Sequence, residues 1–575
     1  MRFVTLVTIA YIAVSIMFSC SSVETQNHQH TAQLSCNLDV LQQSSGRFHA
    51  IVHLTKEIDD IAPFGGVGKV IKAMTSSQVH KRDVFILLPR YSFIEHGERF
   101  CQLDIYSGKQ AEDGGSIYWL KRDGIHYLMI GAPKSCPDLW QIADSRDMYT
   151  IPKLCSSKGF HRGDRDLYFT FTAAYFMITH YKAMRTKIFN VVSFENDIFH
   201  IHSSHNAPFL SFIAPHLKKV LGEAKLVYTM HDYFDELKTS FSVKALLKYS
   251  EILLHKSLLR QDGKSRERQT QHSYLNQRSI KVLEMLIHAD VITTVSEGML
   301  IDLKALSPQF SVRLQDLRHI VRFAVTPNWI NDDTLREARV KISETSPNFD
   351  KKQAKRDIIH MLGDVERDRV LKCVVLWMGR FDINKGIGFL FYIYERVCRD
   401  GCTLAIMGQH TSSIKNEKVL AKQLTLIRKS AYSISCPYIL LDDLDTQKTI
   451  GSTVRAAADI TIMTSAREAY GMVAAEALAY ASIPVVPAVG GLVDFIKPYE
   501  EHTDDSNWNG ILFKYHPDSR TFSTAINDAL RKSFRLLQYL QNKPDIHFQV
   551  LKRLMASAPT SKQGELVYEA FLEQF

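Results

Sequence analysis

The hydrophobic positions of this chain form short continuous runs, each followed by polar or glycine residues and then by a stretch with helical period. In the first half the runs lie at residues 84–89, 126–131, 188–193, 198–202, 225–231 and 291–296. In the second half they lie at residues 374–379, 403–408, 438–442, 460–465 and 483–488. Apolar runs without alternation are typical of strands buried on both faces. Strands that alternate with helices predict crossover units and doubly wound parallel sheets.

A polar stretch at residues 331–369 separates the two series of runs, and we expect a linker with a surface helix there. A second polar tract, at residues 255–278, is interpreted as a solvated insertion loop. The pattern therefore predicts an α/β protein with parallel-sheet domains at residues 48–330 and 370–555 and a C-terminal helix at residues 556–575. Ligands of open parallel sheets bind beyond the carboxyl ends of the strands, so the loops there are the candidate sites.

Two segments of the first domain carry candidate ligand-binding residues. EIDDIAPFGGVGKV joins an apolar stretch to a helical one through Gly65 and Gly66, and glycines let a backbone approach a ligand closely. HIHSSHNAP ends a strand on which His200 and His202 face the same side, so one of them can bind a sugar hydroxyl. A tight turn and structural histidines are the alternative interpretations. The histidines lack an obvious carboxylate partner for a metal ion.

Two segments of the second domain combine opposite charges. In WMGRFDINKG, Arg380 and Lys385 follow a strand end, where two cations can hold a diphosphate and stabilise it as it leaves. In SAREAYGMVAAEALAYASIPVV, Glu468 precedes a helix that begins at Gly471, and Glu476 lies inside that helix. Two carboxylates placed in this way can accept hydrogen bonds from sugar hydroxyls, one set from a hexose and the other from a ribose.

Composition excludes several classes. The chain has 575 residues, of which 45% are hydrophobic and 23% charged, so collagen, disorder throughout and a multi-span membrane protein are excluded. Lysine plus arginine number 70 and aspartate plus glutamate 61, a net charge of +9. The basic residues are not concentrated in one tract, so nothing argues for nucleic acid as a partner.

The amino end has the order of a secretory signal peptide. Residues 1–22 run from a positive start through an apolar stretch to small residues, and a polar leader follows at residues 23–47. We expect a protein that is secreted or resides in the secretory pathway. The apolar stretch is near the lower length limit for a membrane span, so a retained signal-anchor, with membrane association, is an alternative. The first part of a bipartite plastid-targeting signal is another.

The nine cysteines show neither a CxxC motif nor zinc spacing. Export permits disulfides, but several cysteines, such as Cys373 inside an apolar run, are expected to be buried free thiols.

Together these segments resemble the GT-B glycosyltransferases, and most closely the glycogen and starch synthases of glycosyltransferase family 5. The interval from Glu468 to Glu476 is similar to the family's E-x7-E element, with GRFDINKG and GGLVD at the expected distances on either side. In the first half, GGVG resembles the family's GGLG, DIFHIHSSHNA its strand-end histidine motif, VYTMHD its TIHN, ADVITTVSEGM its ADxVTTVS and GDRDLYF its DNxxRF.

The resemblance implies two Rossmann-like domains that face each other across a cleft, with the donor bound mainly by the second. It implies retaining transfer of glucose from ADP- or UDP-glucose, which is a substrate and not a cofactor, to an α-glucan, without a metal. It implies these roles: His202 touches the donor sugar, Asp164 lies in the cleft, Arg380 and Lys385 neutralise the leaving diphosphate, Glu468 holds sugar hydroxyls, Gly65, Gly66, Gly471 and Met472 bind the donor, and Glu476 holds the ribose.

The sequence departs from the family pattern in places. Pro63 stands where the family's glycine loop has a lysine, although Lys69 follows nearby, and HSSH replaces HDWH. Two other functions stay open: a family 4-type GT-B enzyme that acts on a lipid, a protein or another glycan, and a non-catalytic glycan-binding descendant. The complete set of leaving-group residues argues against the descendant, because a binding module has no need of it.

Overall fold

The fold is known from a computed structural model. It describes residues 49–59, 61–62, 66–94, 98–102, 105–107, 110–112, 116–133, 136–141, 162–189, 194, 197–221, 224–233, 239–246, 279–306, 321–342, 351–362, 370, 372–411, 413–433, 435–436, 438–501 and 507–572. The predicted signal segment, the polar leader, Pro63, Gly65 and the tract at residues 255–278 lie outside the described residues.

The strands of the described parts are β1 Ala50–Leu54, β2 Asp83–Pro89, β3 Glu98–Gln102, β4 Ile105–Ser107, β5 Gln110–Glu112, β6 Ser116–Arg122, β7 Ile125–Ile130, β8 Ile198–His202, β9 Lys225–Met230, β10 Ser240–Ser242, β11 Ser279–Lys281, β12 Val291–Thr294, β13 Arg322–Val325, β14 Val374–Met378, β15 Thr403–Met407, β16 Ile439–Leu441, β17 Ile460–Ile462, β18 Ile483–Pro487 and β19 Ile511–Phe513.

The α-helices of the described parts are α1 Gly66–Gln78, α2 Arg162–Phe189, α3 Pro208–Leu221, α4 Val282–Met285, α5 Glu297–Leu306, α6 Asp332–Ile342, α7 Lys352–Leu362, α8 Leu390–Arg399, α9 Ile414–Arg428, α10 Leu444–Ala457, α11 Met472–Ala479, α12 Leu492–Phe495, α13 Ser519–Gln541, α14 Pro544–Ala556 and α15 Ser561–Leu572. None of the helices in the described parts has a stretch long and apolar enough to cross a bilayer.

The N-lobe is built on a nine-stranded sheet with the order β13-β12-β9-β8-β1-β2-β7-β6-β3. Its strands are parallel from β13 to β7, and β6 and β3 add an antiparallel edge. Every residue of β1, β2 and β8 is buried, as the continuous apolar runs predict. The chain builds the sheet in one direction from β1 and in the other from β8, so the loops after these two strands meet at a topological switch point.

The C-lobe is built on a six-stranded, fully parallel sheet with the order β16-β15-β14-β17-β18-β19. Its switch point lies between β14 and β17, because the chain moves outward from β14 to β16 and then returns to β17. The loops after these strands carry the predicted cationic and acidic segments. The two facing sheets confirm the predicted fold class of two Rossmann-like, doubly wound domains.

Residues 331–369, predicted to be a linker with a surface helix, contain α6 and α7, which pack on the C-lobe. The Lys351 ammonium, buried before α7, donates to three backbone carbonyls, and Lys355 pairs with Asp459 at 2.8 Å. The C-terminal helix α15 returns to the N-lobe, where Arg82 pairs with Glu569 at 3.0 Å. The chain therefore crosses between the lobes twice.

Two sequence predictions were wrong. The run at 188–193 was predicted to be a strand, but its first two residues end the helix α2, and the other four lie outside the described residues. Cys373 was expected to be a free thiol, but it forms a disulfide with Cys402, and Cys398 forms one with Cys436. Cys373 and Cys402 directly precede the neighbouring parallel strands β14 and β15, so their Cα atoms lie 4.9 Å apart at one sheet edge.

Candidate active site between the lobes

The cationic loop after β14 is fastened to the acidic loop after β17. The Thr464 hydroxyl donates to the Lys385 carbonyl at 3.1 Å, and the Ala466 amide donates to the Asn384 carbonyl at 2.9 Å. Gly386 closes the turn with a φ of +79°, and a Cβ there would lie 2.3 Å from the Thr464 carbonyl oxygen. Glycine satisfies both the positive φ and the close approach of the two loops.

This arrangement brings Lys385 and Glu468 together. The Lys385 Nζ lies 2.6 Å from the Glu468 Oε1, which also accepts a hydrogen bond from the Ser465 hydroxyl at 2.6 Å. The Glu468 side chain is 9% exposed and that of Lys385 is 27% exposed. A half-buried charge pair at the carboxyl ends of parallel strands has the chemistry to bind an anion and hydroxyls side by side.

Glu476 joins the two lobes. It lies on α11, and its Oε1 is 2.6 Å from the Nζ of Lys69, which lies on α1 of the N-lobe. Its Oε2 is 3.4 Å from the Nε of Arg455. Burial opposes ionisation of Glu476, but the charges of Lys69 and Arg455 hold the pKa of its carboxyl below the ordinary value. Glu476 is therefore an anion shared between the lobes.

The other predicted donor-binding residues flank these pairs. Gly471 has a φ of +104°, which lets the chain turn into α11, and Met472 is the first residue of that helix. The first amides of a helix have no acceptor inside it and can bind a ligand. Gly66 begins α1, Arg380 is exposed in the loop after β14, and Asp164 lies in the first turn of α2.

His202 has another environment than the one predicted. It is fully buried, its Nε2 lies 2.9 Å from the His53 Nδ1, and its Nδ1 lies 3.0 Å from the His231 Nε2. The His53 Nε2 in turn lies 2.8 Å from the Gln78 Oε1. With no exposed surface and both ring nitrogens engaged, His202 is an internal link between neighbouring strands, and its contact with the donor sugar stays a prediction.

The histidines form a chain in which every ring is neutral. The Gln78 oxygen accepts a hydrogen bond from the His53 Nε2. The His53 Nδ1 therefore accepts one from the His202 Nε2, and the His202 Nδ1 accepts one from the His231 Nε2. Burial lowers the pKa of His53 to about 4 and that of His231 to about 3.

Within the part of the chain that the structure describes, one group of side chains could hold a metal ion. Ligand atoms of His53, His200 and His202 lie within 4.8 Å of one another. These rings already bond to protein groups: in addition to the contacts given above, the nitrogens of His200 meet the Tyr568 hydroxyl at 2.7 Å and the Thr229 hydroxyl at 2.6 Å. The group also contains no carboxylate, so an ion here would have to replace existing hydrogen bonds.

A buried charge cluster at the N-lobe switch point was missed in the sequence analysis. Asp166 on α2 forms an ion pair with Lys56, and its Oδ2 lies 3.1 Å from the Nδ1 of His205. Burial opposes ionisation, but Lys56 and His205 hold the pKa of the Asp166 carboxyl well below its usual range. GDRDLYF and HSSH contain two of these residues, but only the fold shows that Lys56 joins them.

Two facing parallel-sheet lobes, with paired cations and carboxylates at the donor-side strand ends, define a GT-B glycosyltransferase. Comparison with known proteins shows which glycosyltransferases this chain resembles. The family model of the starch synthase catalytic domain matches residues 50–318, and that of group 1 glycosyl transferases matches residues 367–543.

Glycogen synthases are similar to this chain over most of its length. A glycogen synthase of Fusobacterium nucleatum subsp. nucleatum is 21% identical over 519 residues, which cover 87% of this chain and 94% of the relative. A glycogen synthase of Aliivibrio fischeri is 22% identical over 483 residues, 81% of this chain and 87% of the relative.

Solved structures share the fold. The catalytic domain of starch synthase IV from Arabidopsis thaliana, bound to ADP and acarbose, superposes with a TM-score of 0.67 at 19% identity, covering 92% of this chain and 100% of that one. A trehalose-phosphate synthase from Burkholderia xenovorans has a TM-score of 0.52 at 11% identity, covering 91% and 100%. Over both lobes, the chain is thus similar to the GT-B glycosyltransferases of the glycogen and starch synthase type.

Proposed function

We propose that this protein is a retaining glucosyltransferase that moves glucose from ADP- or UDP-glucose to the non-reducing end of an α-glucan. The observation that carries the proposal is the contact between Lys385 and Glu468, at 2.6 Å, beside the interlobe pair of Lys69 and Glu476. The glycogen synthase relatives and the starch synthase structure with ADP support the same donor and acceptor classes.

On the donor side, the present charge pairs would exchange partners. The ammonium of Lys385 and the guanidinium of Arg380 would bind the diphosphate and neutralise it as the glycosidic bond to phosphate breaks. Glu468 would accept hydrogen bonds from the sugar hydroxyls, and Glu476 would accept them from the ribose. The amides of Gly471 and Met472 at the start of α11 add donors for anionic or hydroxyl oxygens.

The transfer itself is a same-face substitution. The acceptor hydroxyl attacks the anomeric carbon on the side from which the diphosphate departs, and a departing phosphate oxygen takes its proton. The products are the extended glucan, with the configuration retained, and the nucleoside diphosphate. No metal is required in this scheme, because side chains supply the positive charge.

A donor and acceptor screen tests the proposal. Purified protein is incubated with ADP-, UDP- and GDP-glucose and with maltooligosaccharides, and the linkage of the product is determined. Lipid and peptide acceptors serve as the comparison. Transfer to the glucan that is lost in Lys385→Ala supports the proposal, and absence of transfer to any glucan from any of these donors overturns it.

We also propose that the enzyme works in the secretory pathway or after secretion. The signal-like residues 1–22 support this location, as do the two disulfides of the C-lobe, because disulfides persist in oxidising compartments. Localisation of the tagged full chain tests this. A signal for the protein in the cytosol, with all C-lobe cysteines reduced, would refute it.

A further inference from the structure

The loop that carries Glu468 is held by N-lobe side chains. The Tyr233 hydroxyl donates toward the backbone oxygen of Glu468 at 3.0 Å and also lies 3.2 Å from the Oδ2 of Asp302. The Ser296 hydroxyl donates to the backbone oxygen of Ala469. We refer to Tyr233, Ser296, Asp302 and the C-lobe residue Asp494 as the interlobe clamp.

The two aspartates of the clamp bind across the cleft in opposite directions. Asp494 of the C-lobe accepts hydrogen bonds from the amides of Glu297 and Gly298, at 2.8 and 3.0 Å, at the start of the N-lobe helix α5. Asp302, on that same helix, accepts one from the Gly490 amide of the C-lobe at 3.1 Å. A separation of the lobes would break both sets at once.

The close approach at these contacts leaves no spare room. A Cβ on Gly298 would lie 2.0 Å from the Gly490 oxygen, and a Cβ on Gly490 would lie 1.8 Å from the Glu468 oxygen and 2.1 Å from the Tyr233 hydroxyl oxygen. The three nearest atoms to a Cβ on Gly298 all belong to the C-lobe, so a side chain at Gly298 would push the lobes apart.

Glu468 is thus held at both ends. Its backbone oxygen accepts from the Tyr233 hydroxyl and from the Gly491 amide, at 3.0 Å each, and its carboxylate is held by Lys385 inside the C-lobe. The N-lobe therefore acts on the carboxylate through the backbone of the residue that carries it.

We propose that the interlobe clamp couples closure of the lobes to the placement of Glu468, with Tyr233 and Asp302 as positioning residues. The role in transfer rests on the proposed function, whereas the closure itself does not. Donor contacts to the C-lobe form in the open protein, and the carboxylate reaches its working position only when the Tyr233 hydroxyl meets the Glu468 backbone.

The first test is Tyr233→Phe, with Tyr394→Phe as the matched control. Tyr394 is buried in the C-lobe and its hydroxyl also donates to a backbone carbonyl, that of Cys436 at 2.7 Å. In Tyr233→Phe, the Glu468 backbone oxygen keeps its hydrogen bond from the Gly491 amide, and the Asp302 carboxylate keeps its hydrogen bond from the Gly490 amide. Neither acceptor is therefore left without a donor. We expect kcat to fall about five- to tenfold with the donor KM within about twofold, the scale of one lost buried hydrogen bond. The control keeps the wild-type kcat.

The second test needs no activity. Gly298→Ala is compared with Gly388→Ala, because a Cβ on Gly388 has no heavy atom within 4 Å. Small-angle scattering of the folded variants should give a larger radius of gyration for Gly298→Ala and the wild-type value for the control. The proposal is overturned if Gly298→Ala scatters like the wild type, or if Tyr233→Phe of an active enzyme has the wild-type kcat. If the wild type transfers no glucose, the proposed function fails and scattering alone decides the closure.

Discussion

Removal of the Lys385 ammonium is the sharpest test of the site. In Lys385→Ala the diphosphate would lose one of its two cations, and Glu468 would lose a partner at 2.6 Å. Loss of one preorganised charge at a leaving group costs about 3–4 kcal/mol of transition-state stabilisation, which is about 10²–10³ in kcat. The stability cost is smaller, about 1–3 kcal/mol, because Lys385 is 27% exposed and water screens the pair in part.

A lysine at the other end of the same strand provides the control. Lys372 precedes β14, is exposed and donates to the Asp400 carbonyl at 2.8 Å, away from the cleft. Lys372→Ala should keep the wild-type kcat, measured as release of nucleoside diphosphate under saturating donor and glucan. The double variant Lys385→Ala/Glu468→Gln removes the unpaired carboxylate, so its thermal stability should recover while its kcat does not.

The role of Lys385 at the leaving diphosphate is refuted if Lys385→Ala keeps kcat within threefold of the wild type. It is also refuted if Lys372→Ala loses as much, because the loss would then not depend on a place in the cleft.

Three further outcomes are expected. Glu476→Gln should raise the donor KM about tenfold, as expected for one lost hydrogen bond to a charged group, with less effect on kcat. A donor KM equal to that of the wild type would contradict this. The pKa of His53 is about 4 when folded and 6.5 otherwise, so the unfolded chain binds more protons at this residue between these values. The contribution of His53 to stability, present in full above pH 6.5, therefore falls by about 3 kcal/mol toward pH 4. Denaturant midpoints across this range check it, and His53→Gln should flatten the slope. Peptide mapping without reduction should recover Cys373 linked to Cys402; free thiols at both would refute the pairing.

Much of the site could be predicted because its motifs follow strands. Apolar runs located β14 and β17, and parallel strands with a switch between them bring the segments after each strand together, so Lys385 and Glu468 meet. The glycines were equally informative, since Gly471 takes a positive φ that other residues rarely adopt. Here the local sequence pattern and the sheet topology predict the same contact.

Contacts between distant segments could not be predicted. Lys69 and Glu476 are 407 positions apart, and nothing in the periodicity of α1 shows which of its residues faces the other lobe. His202 looked available because it ends a strand, but His53 and His231 arrive from neighbouring strands and occupy its nitrogens. Only the assembled sheet decides whether a polar side chain at a strand end is exposed or enclosed.

The paired charges of the cleft compensate one another. Glu468 and Glu476, whose side chains are 9% and 5% exposed, are the buried members of these pairs, and Lys385 and Lys69 compensate their charges. A nucleotide sugar brings a diphosphate for Lys385 and hydroxyls for both glutamates, so these groups exchange one partner for another. The pair between Lys69 and Glu476 joins the lobes, so any donor whose ribose binds Glu476 must take the place of Lys69. Binding of the ribose would thus be linked to closure at one side of the cleft, while the interlobe clamp holds the lobes together at the other side.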